Sequence, residues 1–308
     1  MHLFHHLAKL AQFKKPLFIT LGVFDGVHLG HQSILRETVQ RARSHNGEAV
    51  IVTFSPHPAK ILRPESAPLL LTTEQQDYEL FSSLDVDICI VLNFNKQLSC
   101  CPPRDFLERL LKSAPLLHTI VTGPSWHFGY QRKGNFQFLK LWASDHQLCA
   151  MQTKPIYVGE QMVSSTMIRN KITAGDIGTA NTLLGRPYQI IGRVIRGEGL
   201  GGNLGFPTAN LLVENELIPG RGVYAAQALV EEKTFPAAVN IGCKPTVSKG
   251  KDIVIEAHLL QFNDTLYGRH IRLNFMAHIR EERKFKNLDD LKIQIESDSK
   301  EAFRLVPY

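Results

Sequence analysis

The chain has 308 residues, 44% of them hydrophobic and 21% charged, with a formal net charge of +6. This length suits two domains, each with its own core, and the composition excludes an intrinsically disordered chain. Five cysteines (Cys89, Cys100, Cys101, Cys149 and Cys243) contain no C-x-x-C pair, and no apolar stretch reaches bilayer length, which argues against a disulfide framework, a zinc knuckle and a membrane span.

The first ten residues hold His2, His5 and His6 but neither a secretory pattern nor a spaced partner for a metal site, and no role is assigned to them. A buried strand is expected over residues 17–23, running into Phe24-Asp25-Gly26-Val27-His28-Leu29-Gly30-His31 and then a helix over 33–43. Gly22, Gly26 and Gly30 let the backbone turn tightly and approach a ligand, while a helix start offers its amides to an anion. With a helix beginning near Val27, His28 and His31 share one face and point at one phosphate. Two imidazoles there neutralise charge that builds up during displacement. Asp25 is either an N-cap or a contact to substrate or metal.

Strands over 49–54, 88–94 and 116–121 then alternate with helices over 74–84 and 104–111, the pattern of a parallel sheet covered on both faces. The second strand ends in Thr53-Phe54-Ser55-Pro56-His57-Pro58. After the fourth come Ser125-Trp126-His127-Phe128-Gly129 and Arg132-Lys133-Gly134-Asn135, where Trp126 either stacks on a ring substrate or belongs to the core. In Val163-Ser164-Ser165-Thr166-Met167-Ile168-Arg169, the hydroxyl residues Ser164, Ser165 and Thr166 are suited to capping a helix, with Arg169 one turn in as a fixed positive charge.

From residue 185 onward strand follows strand. Segments 189–195, 222–230, 237–241, 254–262 and 270–278 are separated by Gly, Pro, Asn and Asp turns, and a helix over 288–304 follows them. An antiparallel barrel is the expected result. Between the first two strands, Gly197, Gly199, Gly201, Gly202 and Gly205 make a loop able to wrap phosphate oxygens, although it is not a P-loop. Pro207 fixes the backbone ahead of Thr208, and the Thr208 hydroxyl and Asn210 side-chain oxygen are hard ligands suited to Mg2+ on ATP. Alternation in 254–262 places Ile255, Ala257 and Leu259 on one strand face and Glu256 and His258 on the other.

Residues 22–31 resemble the H-x-G-H signature of the nucleotidyltransferase superfamily. In the fuller form G-x-F-D-G-x-H-x-G-H they resemble the adenylyltransferase half of prokaryotic FAD synthetases. Residues 53–58 are similar to that family's T-F-x-P-H-P motif, residues 163–169 contain its S-S-T-x-I-R, and 132–135 its R-x-G-N. Ser125 departs from the Asp or Asn usual at its position. The barrel half resembles riboflavin kinases in G-x-P-T-A-N ending at Asn210, in Asn240-Ile241-Gly242-Cys243-Lys244-Pro245-Thr246, in Glu256-Ala257-His258, in Leu266-Tyr267-Gly268, and in Arg280-Glu281-Glu282-Arg283-Lys284-Phe285.

The resemblance implies a Rossmann-like nucleotidyltransferase domain over 1–184 and a riboflavin kinase barrel with a terminal helix over 185–308. It implies riboflavin, FMN and ATP as substrates with Mg2+, and two steps: phosphorylation of riboflavin to FMN, then adenylylation of FMN to FAD. Glu256 becomes the base that takes the ribityl hydroxyl proton, and His28 and His31 serve adenylyl transfer. Nucleotide contacts fall to Gly22, Phe24, Asp25, Gly30, Ser164, Ser165, Thr166, Arg169, Gly197, Gly199, Gly201, Gly205 and Pro207. Flavin contacts fall to Pro56, His57, Trp126, Phe128, Arg280 and Phe285, and metal contacts to Thr208 and Asn210.

The alternatives are a riboflavin kinase whose adenylyltransferase half has degenerated around Ser125, and a barrel that binds RNA or stores flavin. The expected setting is the cytoplasm, without nucleic-acid or membrane partners and with weak self-association left open.

Overall fold

The computed structural model describes residues 1–197, 204–243 and 253–306. Two compact units emerge: Met1–Leu69 with Glu74–Ser164, and Leu70–Thr73 with Ser165–Tyr308. Among the described residues no helix is long and apolar enough to cross a membrane.

The first unit is built on six strands: β1 (His2–Phe4), β2 (Leu17–Leu21), β3 (Glu48–Ser55), β4 (Ile88–Asn93), β5 (Leu117–Thr122) and β6 (Cys149–Gln152). They pair in the order β1-β4-β3-β2-β5-β6, every pair parallel. The helices are α1 (Leu29–Ser44), α2 (Pro58–Leu62), α3 (Glu74–Ser83), α4 (Lys96–Ser99), α5 (Pro103–Ser113) and α6 (Phe136–Asp145), and a two-residue hairpin, β7 (Tyr157–Val158) with β8 (Gln161–Met162), follows.

Every residue of β2 is buried, as a strand covered on both faces requires. On β3 the alternation is resolved by the two cores. Val50 and Val52 pack with Leu107 and Trp142 on one side, while Ile51 packs with Leu35 and Phe81 on the other. After β2 the chain adds β3 and β4 on one side and then returns to place β5 on the other. The strand order therefore reverses at β2, and ligands of open α/β sheets bind beyond the carboxyl ends of strands at such a point. The loop leaving β2 is Phe24 to His31.

The second unit holds α7 (Ser165–Thr173), α8 (Ile177–Leu184) and the strands β9 (Tyr188–Ile195), β10 (Ala209–Val213), β11 (Gly222–Val230), β12 (Lys233–Cys243), β13 (Ile253–Leu259) and β14 (His270–Arg280), then α9 (Leu288–Leu305). The strands close into an antiparallel barrel in the order β10-β13-β12-β11-β14-β9, with β9 pairing back to β10. Asn287 caps α9, its side chain accepting from the Asp290 amide at 2.7 Å. Ala302 and Val306 pack with Ala225 and Ala238, so α9 covers the outer face of β11 and β12.

Strand β10 has no counterpart among the strands expected from the sequence. Its apolar stretch is short, and the pairing with β9 and β13 is what makes it a strand. Similarly, α8 packs with the barrel, and α7 packs with α8. The Asn181 amide donates to the Phe275 carbonyl at 2.9 Å, and the Tyr188 amide donates to the Asn181 carboxamide at 2.7 Å. The packing boundary thus lies at Ser164/Ser165, ahead of the change in sequence pattern at 184/185.

Candidate active sites

The loop after β2 turns at Gly26, with φ of 79°, and at Val27, with φ of 37°. A β-branched residue in the left-handed region is costly, and such strain persists where surrounding contacts over-determine it. Those contacts are present: Val27 is fully buried, its amide donates to the Phe24 carbonyl at 2.9 Å, and the Gln32 side chain donates to its carbonyl at 3.0 Å.

Helix α1 begins at Leu29 rather than near Val27, which makes His28 its N-cap. The His28 Nδ1 accepts from the His31 amide at 3.3 Å, and the two rings stack at 3.7 Å and 17°. The histidines are thus brought together by capping and stacking, not by lying side by side on a helical face. Because Nδ1 is the acceptor, the neutral His28 ring carries its proton on Nε2. Gly30 makes the fold of this ring over the helix start feasible, since a Cβ there would stand 3.1 Å from His28 Cε1. Phe24 lies buried against the edge of the His31 ring at 5.2 Å. Asp25 is buried as well, and the capping position it might have taken belongs to His28. Gly22 continues the β2 ladder, donating to Val52 at 3.1 Å.

At the end of β3, Pro56 follows a cis peptide and His57 caps α2, accepting from Ala59 at 3.1 Å. The preceding Ser55 hydroxyl donates to Glu74, which also accepts from the Tyr78 hydroxyl at 3.1 Å. Burial and the Glu74 carboxylate push the Tyr78 phenol well above its ordinary value, so it remains a donor. Trp126 stacks on Phe128 at 4.4 Å and both are half-buried, while Phe128 lies over Gly134, where a Cβ would come within 2.4 Å of the ring. Asn135 caps α6. Ser164 ends the first unit, and Ser165, Thr166 and Arg169 lie in the first turns of α7 in the second.

In the barrel, alternation along β13 is as expected, with Ile255, Ala257 and Leu259 buried and Glu256 and His258 half-exposed. The register adds what alternation cannot give. Glu256 lies directly opposite Asn210 on β10 and opposite Asn240 on β12. Directly opposed residues share a face, so a carboxylate stands in one row between two carboxamides, spanning about 10 Å over two strand spacings. His258, two residues on, is opposite Ala238, which places this row on the outer face that α9 partly covers.

Asn210 is buried, and a Cβ on Gly197 would stand 2.1 Å from its Nδ2, so Gly197 lies flat against that side chain. His258 shares a hydrogen bond with the Pro207 carbonyl at 2.8 Å and sets its ring edge against Phe206, which fixes the end of the glycine loop. Thr208 is half-exposed, and Gly205 has φ of 88°. Gly199 and Gly201, with Gly202, lie outside the described residues, as do Lys244, Pro245 and Thr246.

Arg280 is held by Asp298 of α9 through Nε at 3.0 Å and Nη2 at 2.7 Å, and its guanidinium lies 5.8 Å from the Phe285 ring. Arg283 approaches the same ring at 4.9 Å. Asn240, Gly242 and Glu282 were not singled out as site residues. A Cβ on Gly242 would stand 2.5 Å from Glu282 Oε1 and 3.6 Å from Asn240 Nδ2. Asn240 and Glu282 both stand in segments already quoted for their resemblance, but their nearness to Gly242 depends on packing between residues distant in the chain.

A strained loop with paired imidazoles at the switch point of a parallel sheet suits nucleotide chemistry. A separate closed barrel bearing a carboxylate between two carboxamides suits proton abstraction from an alcohol. Together they define a two-domain phosphate-transferring enzyme. Comparison with known proteins makes this specific. Residues 10–167 match the FAD synthetase family model and residues 184–306 the riboflavin kinase model. The bifunctional riboflavin kinase/FMN adenylyltransferase of Escherichia coli K12 is 32% identical over 96% of this chain and 93% of its own length. That of Bacillus subtilis is 34% identical over 97% and 95%. A crystal structure described as a macrolide-efflux protein from Streptococcus pneumoniae superimposes with a TM-score of 0.90 at 26% identity, covering 99% of each chain. The chain belongs to the bifunctional riboflavin kinase/FMN adenylyltransferase family.

Proposed function

We propose that the chain phosphorylates riboflavin to FMN in the barrel and adenylylates FMN to FAD in the parallel-sheet domain, releasing pyrophosphate, with ATP as co-substrate of both steps. The observation that carries the reading is the presence of both constellations in one chain: the stacked His28–His31 pair and the Asn210–Glu256–Asn240 row. The activities divide over residues 1–184 and 185–308, and the setting is the cytoplasm.

In the barrel, Glu256 takes the proton from the terminal ribityl hydroxyl as that oxygen attacks the γ-phosphorus of ATP. The phosphoryl group passes to the alcohol and ADP leaves. Gly197, Gly199, Gly201, Gly205 and Pro207 cradle the phosphates. The Thr208 hydroxyl and the Asn210 carboxamide oxygen fit Mg2+, being hard neutral donors, with Asn210 seated against Gly197. Bound there, the ion would neutralise phosphate charge. Arg280 and Phe285 form the flavin-side wall, with Arg280 anchored to α9.

In the parallel-sheet domain the FMN phosphate attacks the α-phosphorus of ATP. The His28 Nε2–H donates to the phosphoryl oxygens, assisted by His31, and Arg169 with the hydroxyls of Ser164, Ser165 and Thr166 receives the pyrophosphate. Gly22, Phe24, Asp25 and Gly30 shape the nucleotide pocket; Pro56, His57, Trp126 and Phe128 face the flavin. Both displacements are direct. Burial pushes the Cys89 thiol up to about 12 and raises that of Cys101, so neither buried cysteine is activated as a nucleophile.

The test is incubation with riboflavin, ATP and magnesium, with flavins separated by chromatography. FMN followed by FAD is the expected result. FMN without FAD, even with FMN supplied directly, would leave the kinase-only alternative standing, and no new flavin would remove the reading altogether.

A further inference from the structure

We propose that Glu74 is a positioning residue for adenylyl transfer, holding Ser55 so that Pro56 and His57 are presented to the flavin. The inference deepens the adenylylation reading and rests on it, since that reading sets Pro56 and His57 at FMN.

Strand β3 is buried from Ala49 to Val52, and Ser55 is its last residue. The strand period of two puts Ser55 on the face of Ile51, the side on which Phe81 and Tyr78 of α3 pack. Its backbone is held by β4: Ser55 lies opposite Asn93, and its carbonyl accepts from the Phe94 amide at 3.0 Å. Its hydroxyl is held by α3, donating to Glu74 at the first position of that helix. Beyond Ser55 the chain leaves the sheet, so the direction taken by Pro56 and His57 follows from how Ser55 is fixed.

Glu74 is suited to act through Ser55 rather than on substrate. A carboxylate presented directly to FMN or ATP would repel their phosphates, whereas hydroxyl donors satisfy it. Two are in place: the Ser55 hydroxyl and the Tyr78 hydroxyl, the latter at 3.1 Å. Burial first, and then the Glu74 charge, raises the Tyr78 phenol above its ordinary value, so it keeps its proton and goes on donating. Tyr78 in turn packs against the core that contains Phe81 and Val91. Contacts therefore run from that core through Tyr78 and Glu74 to the residue from which the flavin loop departs.

Steady-state adenylylation of supplied FMN by Glu74→Ala, Glu74→Gln, Ser55→Ala and the Ser55→Ala/Glu74→Ala double variant tests this. The ATP KM is the control for folding of the same unit, and Glu74 is exposed, so its truncation leaves no cavity. Glu74→Ala should raise the FMN KM about tenfold, the worth of one charged hydrogen bond, with kcat and the ATP KM little changed. Glu74→Gln, which keeps an acceptor oxygen for Ser55, should recover most of the loss. Ser55→Ala should reproduce the defect, and the double variant should add nothing to it. An unchanged FMN KM in Glu74→Ala, full additivity of the pair, or a fall in kcat alone, as loss of folded enzyme gives, would overturn the proposal. A rise in the ATP KM in place of the FMN KM would overturn it as well, by moving His57 from the flavin to the nucleotide. A parent chain that phosphorylates riboflavin but does not adenylylate FMN would overturn instead the reading beneath it, and this inference with it.

Discussion

The loop after β2 and the outer face of the barrel bring their candidate site residues together by opposite routes. In the first, the important residues lie within eight positions of each other, and local geometry assembles them: a strained Val27, a cap at His28 and a stacked ring at His31. In the second, Asn210, Asn240 and Glu256 come from three strands, and only barrel closure puts them in a row. A locally built site can be damaged by one backbone change. A site built by register depends on the strands and helix that hold it.

The contrast is tested most strongly by separating the two chemistries. Glu256→Ala should lower riboflavin phosphorylation about 10²- to 10⁴-fold, the usual worth of a general base, while adenylylation of supplied FMN is retained. In turn, His28→Ala should lower adenylylation about 10²- to 10³-fold, as loss of one preorganised donor does, and leave phosphorylation intact. Loss of both activities in either variant would mean that the sites are not separate. Both rates are read from one chromatographic assay.

The supports of the barrel site should respond next. Asp298→Ala leaves Arg280 half-buried without its partner, and should destabilise the barrel by about 3 kcal/mol in denaturant unfolding. Gly197→Ala forces a methyl into the Asn210 carboxamide and should raise the ATP KM of the kinase step alone, by about tenfold if one ligand contact is lost. An unaltered KM there would remove Asn210 from the nucleotide side.

The smallest effect concerns the parallel-sheet unit away from its site. Burial raises the Asp87 carboxyl, but Arg43 at 2.7 Å and the Ala49 amide outweigh it and hold the group below its ordinary value. Its contribution is therefore full above the ordinary carboxylate pKa and is lost as pH falls through the lowered one. Asp87→Asn should lower the Tm at neutral pH, and the gap from the parent should close in acid. A gap that widened in acid would contradict the assignment.

Much of this was open to reading before any tertiary structure. The apolar runs of β2, β3, β4 and β5 marked a parallel sheet because burial on both faces leaves little room for polar residues. Alternation on β13 set Glu256 apart from Ile255 and Ala257 because the strand period is two. Strand β10 escaped because its stability comes from pairing with β9 and β13 rather than from its own composition. The start of α1 was misplaced because Val27 adopts a conformation that its side chain disfavours.

By itself, then, the sequence determined the two fold classes and their order along the chain, and marked the candidate residues, since periodicity and short motifs are local properties. Tertiary structure alone decided that Glu256 stands between two asparagines, that Arg280 is committed to Asp298, and that Glu282 rests on Gly242. Each of these depends on the strand register or helix docking that packing selects, and contacts between residues distant in the chain leave no periodic trace in it.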